Sequence, residues 1–171
     1  MKIYCKKPLS IYLAIFSIAA LAFAYISEYG FGLVPCKLCL YQRIPYALVI
    51  LVGFFSVLTD DNYKKQNYLS LVAGIIILLG GLTALYHVGV EQGIIITSAC
   101  DQMTDNTNSI DEMRKLILET PQVACNKPQF IFLHLSMAAW NALISLLIAL
   151  PSIVISLIRI RKTYGYNSKR S

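Results

Sequence analysis

Four stretches of this chain are long and apolar enough to cross a lipid bilayer, which removes most folds from consideration. They run over about residues 9–26, 38–58, 69–90 and 130–158. A helix needs about 20 residues to traverse a hydrocarbon core of about 30 Å. Lipid offers no partner to open backbone groups, so each block is expected to be helical. β-barrel strands would be shorter and would alternate polar with apolar residues, which these blocks do not. The fourth is long enough to tilt or to bend at Pro151. Only 14% of residues are charged, against about a quarter in an average soluble domain. The expectation is an all-α integral membrane protein, one domain over residues 1–171, built as a bundle of four transmembrane helices.

The first block follows Lys2, Lys6 and Lys7, as the core of a signal peptide would. No small-x-small cleavage pattern follows it and three further spans come after, so it reads as a retained anchor. The net charge of +6 does not point to nucleic acid, because no basic stripe interleaved with aromatics lies along a polar helix. The positive residues instead cluster between apolar blocks, where they report topology. Four crossings put both termini and the 59–68 loop on one side. That side holds ten Lys and Arg residues, against five on or just inside the other. The positive-inside rule places both termini in the cytoplasm.

Five cysteines fall into place on that map: Cys5, Cys36, Cys39, Cys100 and Cys125. Two crossings separate the Cys36–Cys39 pair from Cys100, so both outer pairs face one compartment whichever way the bundle is oriented. Cys5 is alone on the opposite side and has no evident task. With cytoplasmic termini, the other four sit where disulfides persist. Their pairing is open, since four cysteines allow three connectivities.

Residues 35–43 read PCKLCLYQR. Pro35 is a good first helical residue, because its missing N–H would be unpaired there. Cys36 and Cys39 then share one face of the first turn, where free N–H groups favour thiolate over thiol. Arg43 continues that face one turn deeper, able to donate hydrogen bonds to an oxygen-bearing ligand at the membrane edge. Left to itself, one arginine near a helix end is most simply read as snorkelling. Zinc wants four ligands, and Cys100 and Cys125 are isolated rather than a second close pair, so no metal is expected. Leu40 follows Cys39 where c-type haem attachment would need histidine. Short CxxC bridges are labile, which favours exchange over bracing.

The loop over 91–129 carries Cys100 and Cys125. Between them Ser109 and Glu112 have capping-box spacing, and Ile110, Met113 and Ile117 share a face. A short amphipathic helix on the membrane surface is expected there, ending before Pro121. His87 should lie near the outer end of the third span at a depth like that of Arg43. A ligand role and a packing role are evenly matched for it. His134 is read as structural, in the first turns of the last span, and Glu91 as interfacial and solvated.

These residues carry a resemblance. PCKLCLYQRIPY looks like the CxxC-x3-Arg motif that opens the second span of the bacterial disulfide bond formation protein B (DsbB) family. YHVGVEQG looks like the end of that family's third span. CNKPQFIFLHLSMAAWN is similar to its passage from the last loop cysteine into the fourth span, although Trp is usual there at Phe130 and Gly at His134. The similarity covers nearly the whole chain, and all four expected cysteines are present.

The resemblance implies a membrane oxidoreductase of the bacterial inner membrane, with redox loops in the periplasm. It would reoxidise a soluble periplasmic thioredoxin-like thiol oxidase of the DsbA type and pass electrons to ubiquinone or menaquinone in the bilayer. Cys36, Cys39, Cys100 and Cys125 would be catalytic, with Arg43 and His87 beside the quinone. The partner would attack a Cys100–Cys125 disulfide at Cys100. Cys125 would then form a bridge with Cys36, freeing Cys39 to reduce the quinone. Two other readings compete. A vitamin-K-epoxide-reductase-like enzyme shares these parts, but there the CxxC follows the loop pair. A four-span protein with structural disulfides leaves Arg43 without a role.

Overall fold

The computed structural model describes residues 8–59, 62–96, 125–126, 128 and 130–168, with the backbone alone over 164–168. The helix expected around 109–117 and the cysteines Cys5 and Cys100 lie outside the described residues. Four helices are long and apolar enough to cross a membrane, so the chain is a multi-pass membrane protein. Helix α1 spans Leu9–Tyr25 and passes into one π-helical turn over Ile26–Gly30. Helix α2 spans Lys37–Leu58, α3 spans Tyr63–Glu91 and α4 spans Met137–Ser168. Helix α2 packs on both α1 and α3, and α3 lies along α4.

The interior is small and polar-edged rather than greasy, as expected where lipid already satisfies large apolar side chains. Ser10, Ser17, Ser56, Ser70 and Ser145 are buried, while Phe54, Leu79 and Leu147 face outward. Ser10 ties three helices together: its Oγ donates to Ser56 Oγ at 2.7 Å and its N–H to Ser70 Oγ at 3.1 Å. At Gly53 the α1–α2 approach is closest, and a β-carbon there would stand 2.3 Å from Ala14 Cβ. Leu13, Val49, Ala73, Ile77 and Ala149 fill the centre.

Two boundaries depart from the sequence reading. Helix α3 starts at Tyr63, six residues before the apolar block, because Asn62 caps it by accepting from the Lys65 N–H at 3.4 Å. The last span starts at Met137 instead of 130. The residues before it form a two-stranded hairpin, β1 (Ile131–Phe132) paired with β2 (Leu135–Ser136). Its turn residues Leu133 and His134 have φ of 50° and 64°, which no helix accommodates. His134 therefore sits at the exposed tip of a turn, not in the first turns of a span. Trp140 pins the hairpin, its Nε1–H donating to the Phe132 carbonyl at 3.0 Å. Helix α4 runs on through Pro151, as α2 does through Pro45.

Candidate functional site

Cys36 is the N-cap of α2 rather than a residue of its first turn. Its φ and ψ of −74° and 168° are extended, and its Sγ accepts the Cys39 N–H at 3.3 Å. The helix thus starts at Lys37, and Pro35 stands just before the cap. Sulfur here takes the part usually played by a Ser or Asp oxygen. Cys36 and Cys39 are free thiols with Sγ atoms 2.9 Å apart. The hydrogen bond shared with Cys39 lowers the Cys36 thiol from 9.0 to about 4; burial opposes this, and a further hydrogen bond from His87 assists it.

His87 reaches Cys36 from α3. Its Nε2 is 3.6 Å from Cys36 Sγ and its ring is 3% exposed. A chain of hydrogen bonds through two other helices fixes the ring. Tyr46 donates its hydroxyl hydrogen to Asn141 Oδ1, and Asn141 Nδ2 donates to Gln42 Oε1 at 2.5 Å. The remaining face of the Gln42 amide is its NH2, which lies 2.8 Å from His87 Nδ1. With the amides in this order Nδ1 accepts, so the hydrogen of the neutral ring sits on Nε2 and points at the sulfur. Ser145 closes the far end, 2.8 Å from the Tyr46 hydroxyl. Glu91, expected to be solvated, has a side chain only 10% exposed and an Oε1 3.8 Å from His87 Nε2. One helical turn places it over the ring.

Arg43 is paired. Its Nη1 lies 2.6 Å from Glu28 Oε2, and its guanidinium carbon stands 4.9 Å from the centre of the Tyr25 ring. The pair is partly withdrawn from solvent, with side chains 16% and 21% exposed. Glu28 comes from the π-helical turn, which prolongs the first span beyond 26 and turns that carboxylate toward α2. π turns of this kind recur at functional sites.

A cavity of about 760 Å³ gathers these groups between the four helices. Cys36, Cys39, Arg43, His87, Glu91 and Cys125 all line it, most of the remaining wall being apolar. Cys125 is 3% exposed and packs in one cluster with Cys36, Leu38 and Val90, with Cys39 at the edge. It is disulfide-bonded to neither Cys36 nor Cys39, which are free. The structure therefore brings together five of the six residues singled out from the sequence. The sixth, Cys100, lies outside the described residues. The sequence reading missed Glu28, Gln42, Tyr46 and Asn141. An acidic residue at the end of one span, on the same side as a lone arginine in the next, was the available signal for Glu28.

Comparison with known proteins gives the family. Residues 6–155 match the family model described as disulfide bond formation protein DsbB. A disulfide bond formation protein B of Cupriavidus metallidurans is 32% identical over 158 residues, covering 89% of this chain and 92% of that protein. Its counterpart in Cupriavidus pinatubonensis is 30% identical over 158 residues, with the same coverage. A Rickettsia prowazekii chain called uncharacterized protein RP370 is 34% identical over 143 residues, covering 82% of this chain and 81% of that one. No solved structure matches.

Proposed function

The chain belongs to the DsbB family of disulfide bond formation membrane proteins, and from that premise we propose that it oxidises a soluble DsbA-type thiol oxidase at the expense of a membrane quinone. The observation that carries this reading is the convergence of Cys36, Cys39 and Cys125 on one largely apolar cavity beside Arg43. Cavities of about 300–1,000 Å³ hold ligands of the size of a quinone ring with part of its tail. The Lys and Arg count orients the Cys36 end of the bundle toward the periplasm.

The partner's thiolate attacks Cys100 of a Cys100–Cys125 disulfide, forming a mixed disulfide and releasing Cys125 as thiolate. Cys125 attacks Cys36 of an oxidised Cys36–Cys39 pair; the bond to Cys39 breaks and the Cys36–Cys125 bridge forms. The shared burial of Cys36 and Cys125 supports that pairing, and Cys39 at the edge of their cluster is the sulfur left facing the cavity. Ubiquinone or menaquinone, when bound, supplies an acceptor for two electrons and two protons, matching what one dithiol gives up. Arg43 donates hydrogen bonds toward a ring oxygen, and His87 holds a proton on Nε2 at the sulfur. Bracing disulfides alone would give no reason for a buried imidazole aimed at Cys36.

The test is quinone-dependent thiol consumption. Purified protein given a reduced DsbA-type partner and a soluble quinone should consume thiols, and Cys39→Ser should stop it. Equal thiol loss with and without quinone would overturn the proposal.

A further inference from the structure

We propose that the reduced Cys36–Cys39 pair, with His87 and Glu91, forms a binding site for one thiophilic divalent cation of the zinc class. The sequence offered no second pair of close-spaced ligands, which is why no metal was expected. Folding supplies the missing donors from α3. Cys36 Sγ, Cys39 Sγ and a His87 ring nitrogen all lie within 4.8 Å of one another. A tetrahedral cation with bonds of about 2.3 Å to sulfur and about 2.0–2.1 Å to nitrogen separates its ligand atoms by about 3.5–3.8 Å. The Cys36 Sγ to His87 Nε2 distance of 3.6 Å already has that span. Glu91 Oε1 is 3.8 Å from Nε2 and lies outside that group of three, so it becomes a fourth donor only by turning its side chain toward the sulfurs.

The two sulfurs must spread and the Glu91 side chain must swing inward. The sulfur separation of 2.9 Å has to widen by roughly 0.9 Å, which rotation of the Cys39 side chain supplies while Cys36 stays at the cap. Metal on Nε2 transfers the ring hydrogen to Nδ1. The Gln42 and Asn141 amides then turn over, Gln42 Oε1 accepts from Nδ1, and Tyr46 accepts from Asn141 while donating to Ser145. This supplies the outer hydrogen bond that a metal-bound imidazole needs. Binding releases the Cys39 thiol hydrogen, Cys36 being already ionised, forms two metal–sulfur bonds and moves no electrons. A disulfide between Cys36 and Cys39 removes both sulfur donors, so the site exists only in the dithiol state and the cation holds the pair reduced.

The test needs neither quinone nor protein partner, so its failure is distinguishable from failure of the proposed oxidoreductase function. In full-length protein carrying Cys5→Ser, Cys100→Ser and Cys125→Ser, Cd2+ titration of the reduced form should produce a thiolate-to-cadmium charge-transfer band saturating at one equivalent. The oxidised form should produce none. His87→Ala in that background should weaken binding at least tenfold, and Glu91→Gln should weaken it less. In the unsubstituted protein, reduced and alkylated with or without Zn2+, mass mapping should show Cys36 and Cys39 protected and Cys5 not. Absence of the band, equal affinity in His87→Ala, or uniform alkylation of all cysteines in the presence of Zn2+ would each overturn the site.

Discussion

Arg43 meets Glu28 at 2.6 Å, so the arginine facing the cavity is held by a carboxylate from the neighbouring span. The pair leaves other N–H groups of the guanidinium free to point elsewhere, since Arg carries five donors in a fixed fork. If Glu28 aims Arg43 at the quinone, both residues belong to quinone affinity and not to the disulfide relay. Arg43→Ala should raise the quinone KM about tenfold, or about 1.4 kcal/mol, with a smaller rise for Glu28→Gln. Partner KM should not change in either. Thiol consumption measured against quinone concentration checks this, and an unchanged quinone KM in both variants would remove the pair from the site.

The sulfur end makes a different prediction. Cys36 is lowered from 9.0 to about 4, chiefly by its hydrogen bond with Cys39 and then by His87, with burial working the other way. An acid whose value is lowered by folding stabilises the native state in its ionised form. For the reduced protein that contribution is complete above about pH 9, shrinks as pH falls, and is gone once pH passes below about 4. The ultraviolet thiolate absorbance of the reduced protein, less that of Cys36→Ser, should therefore persist through pH 6. A difference that disappears between pH 9 and 8 would refute the assignment.

How much of this was legible beforehand depends on what each feature answers to. The four spans could be read because lipid imposes length and apolarity on every segment separately. The CxxC and Arg43 could be read because their spacing is local. The ring clamp could not: Gln42 is 45 residues from His87 and 99 from Asn141, and no period within one helix encodes such a meeting. Glu91 was misjudged because exposure at a helix end depends on what packs beside it, here the cavity wall. The hairpin before α4 was missed because Leu133 and His134 occupy positive φ where Asn or Gly is the usual signal.

That last mismatch is itself testable. A non-glycine residue in the left-handed region costs about 1 kcal/mol or more, and His134 has φ of 64° at an exposed position. His134→Gly should raise stability by about 1 kcal/mol in detergent without altering quinone kinetics. Thermal unfolding followed by circular dichroism decides it, and a lowered midpoint would contradict the turn.

The α1–α2 contact predicts the opposite sign. Because a β-carbon at Gly53 would lie 2.3 Å from Ala14 Cβ, Gly53→Ala forces the two helices apart. Overpacking of this kind costs about 1–3 kcal/mol. Ala14→Gly removes the atom it strikes, so the double variant should recover most of the loss. A midpoint for Gly53→Ala equal to that of the unsubstituted protein would show that the helices do not meet there.

The polar chain behind His87 should be worth more than its individual bonds. Asn141→Leu strips the partner from Gln42 Oε1 in a buried setting and leaves the Tyr46 hydroxyl with Ser145 alone. An unsatisfied buried polar group costs about 1–3 kcal/mol. Gln42 is then free to turn, His87 no longer holds its hydrogen on Nε2, and the thiolate absorbance of Cys36 should require higher pH. Ser156 provides the contrast. Its Oγ is buried without a hydrogen-bond partner among the described residues, so Ser156→Ala should be neutral or slightly stabilising. Loss of stability in Asn141→Leu with an unmoved Cys36 titration would reduce the chain to packing. A shift in both, absent in Ser156→Ala, would establish that α4 sets the protonation of the sulfur site through Gln42 and His87.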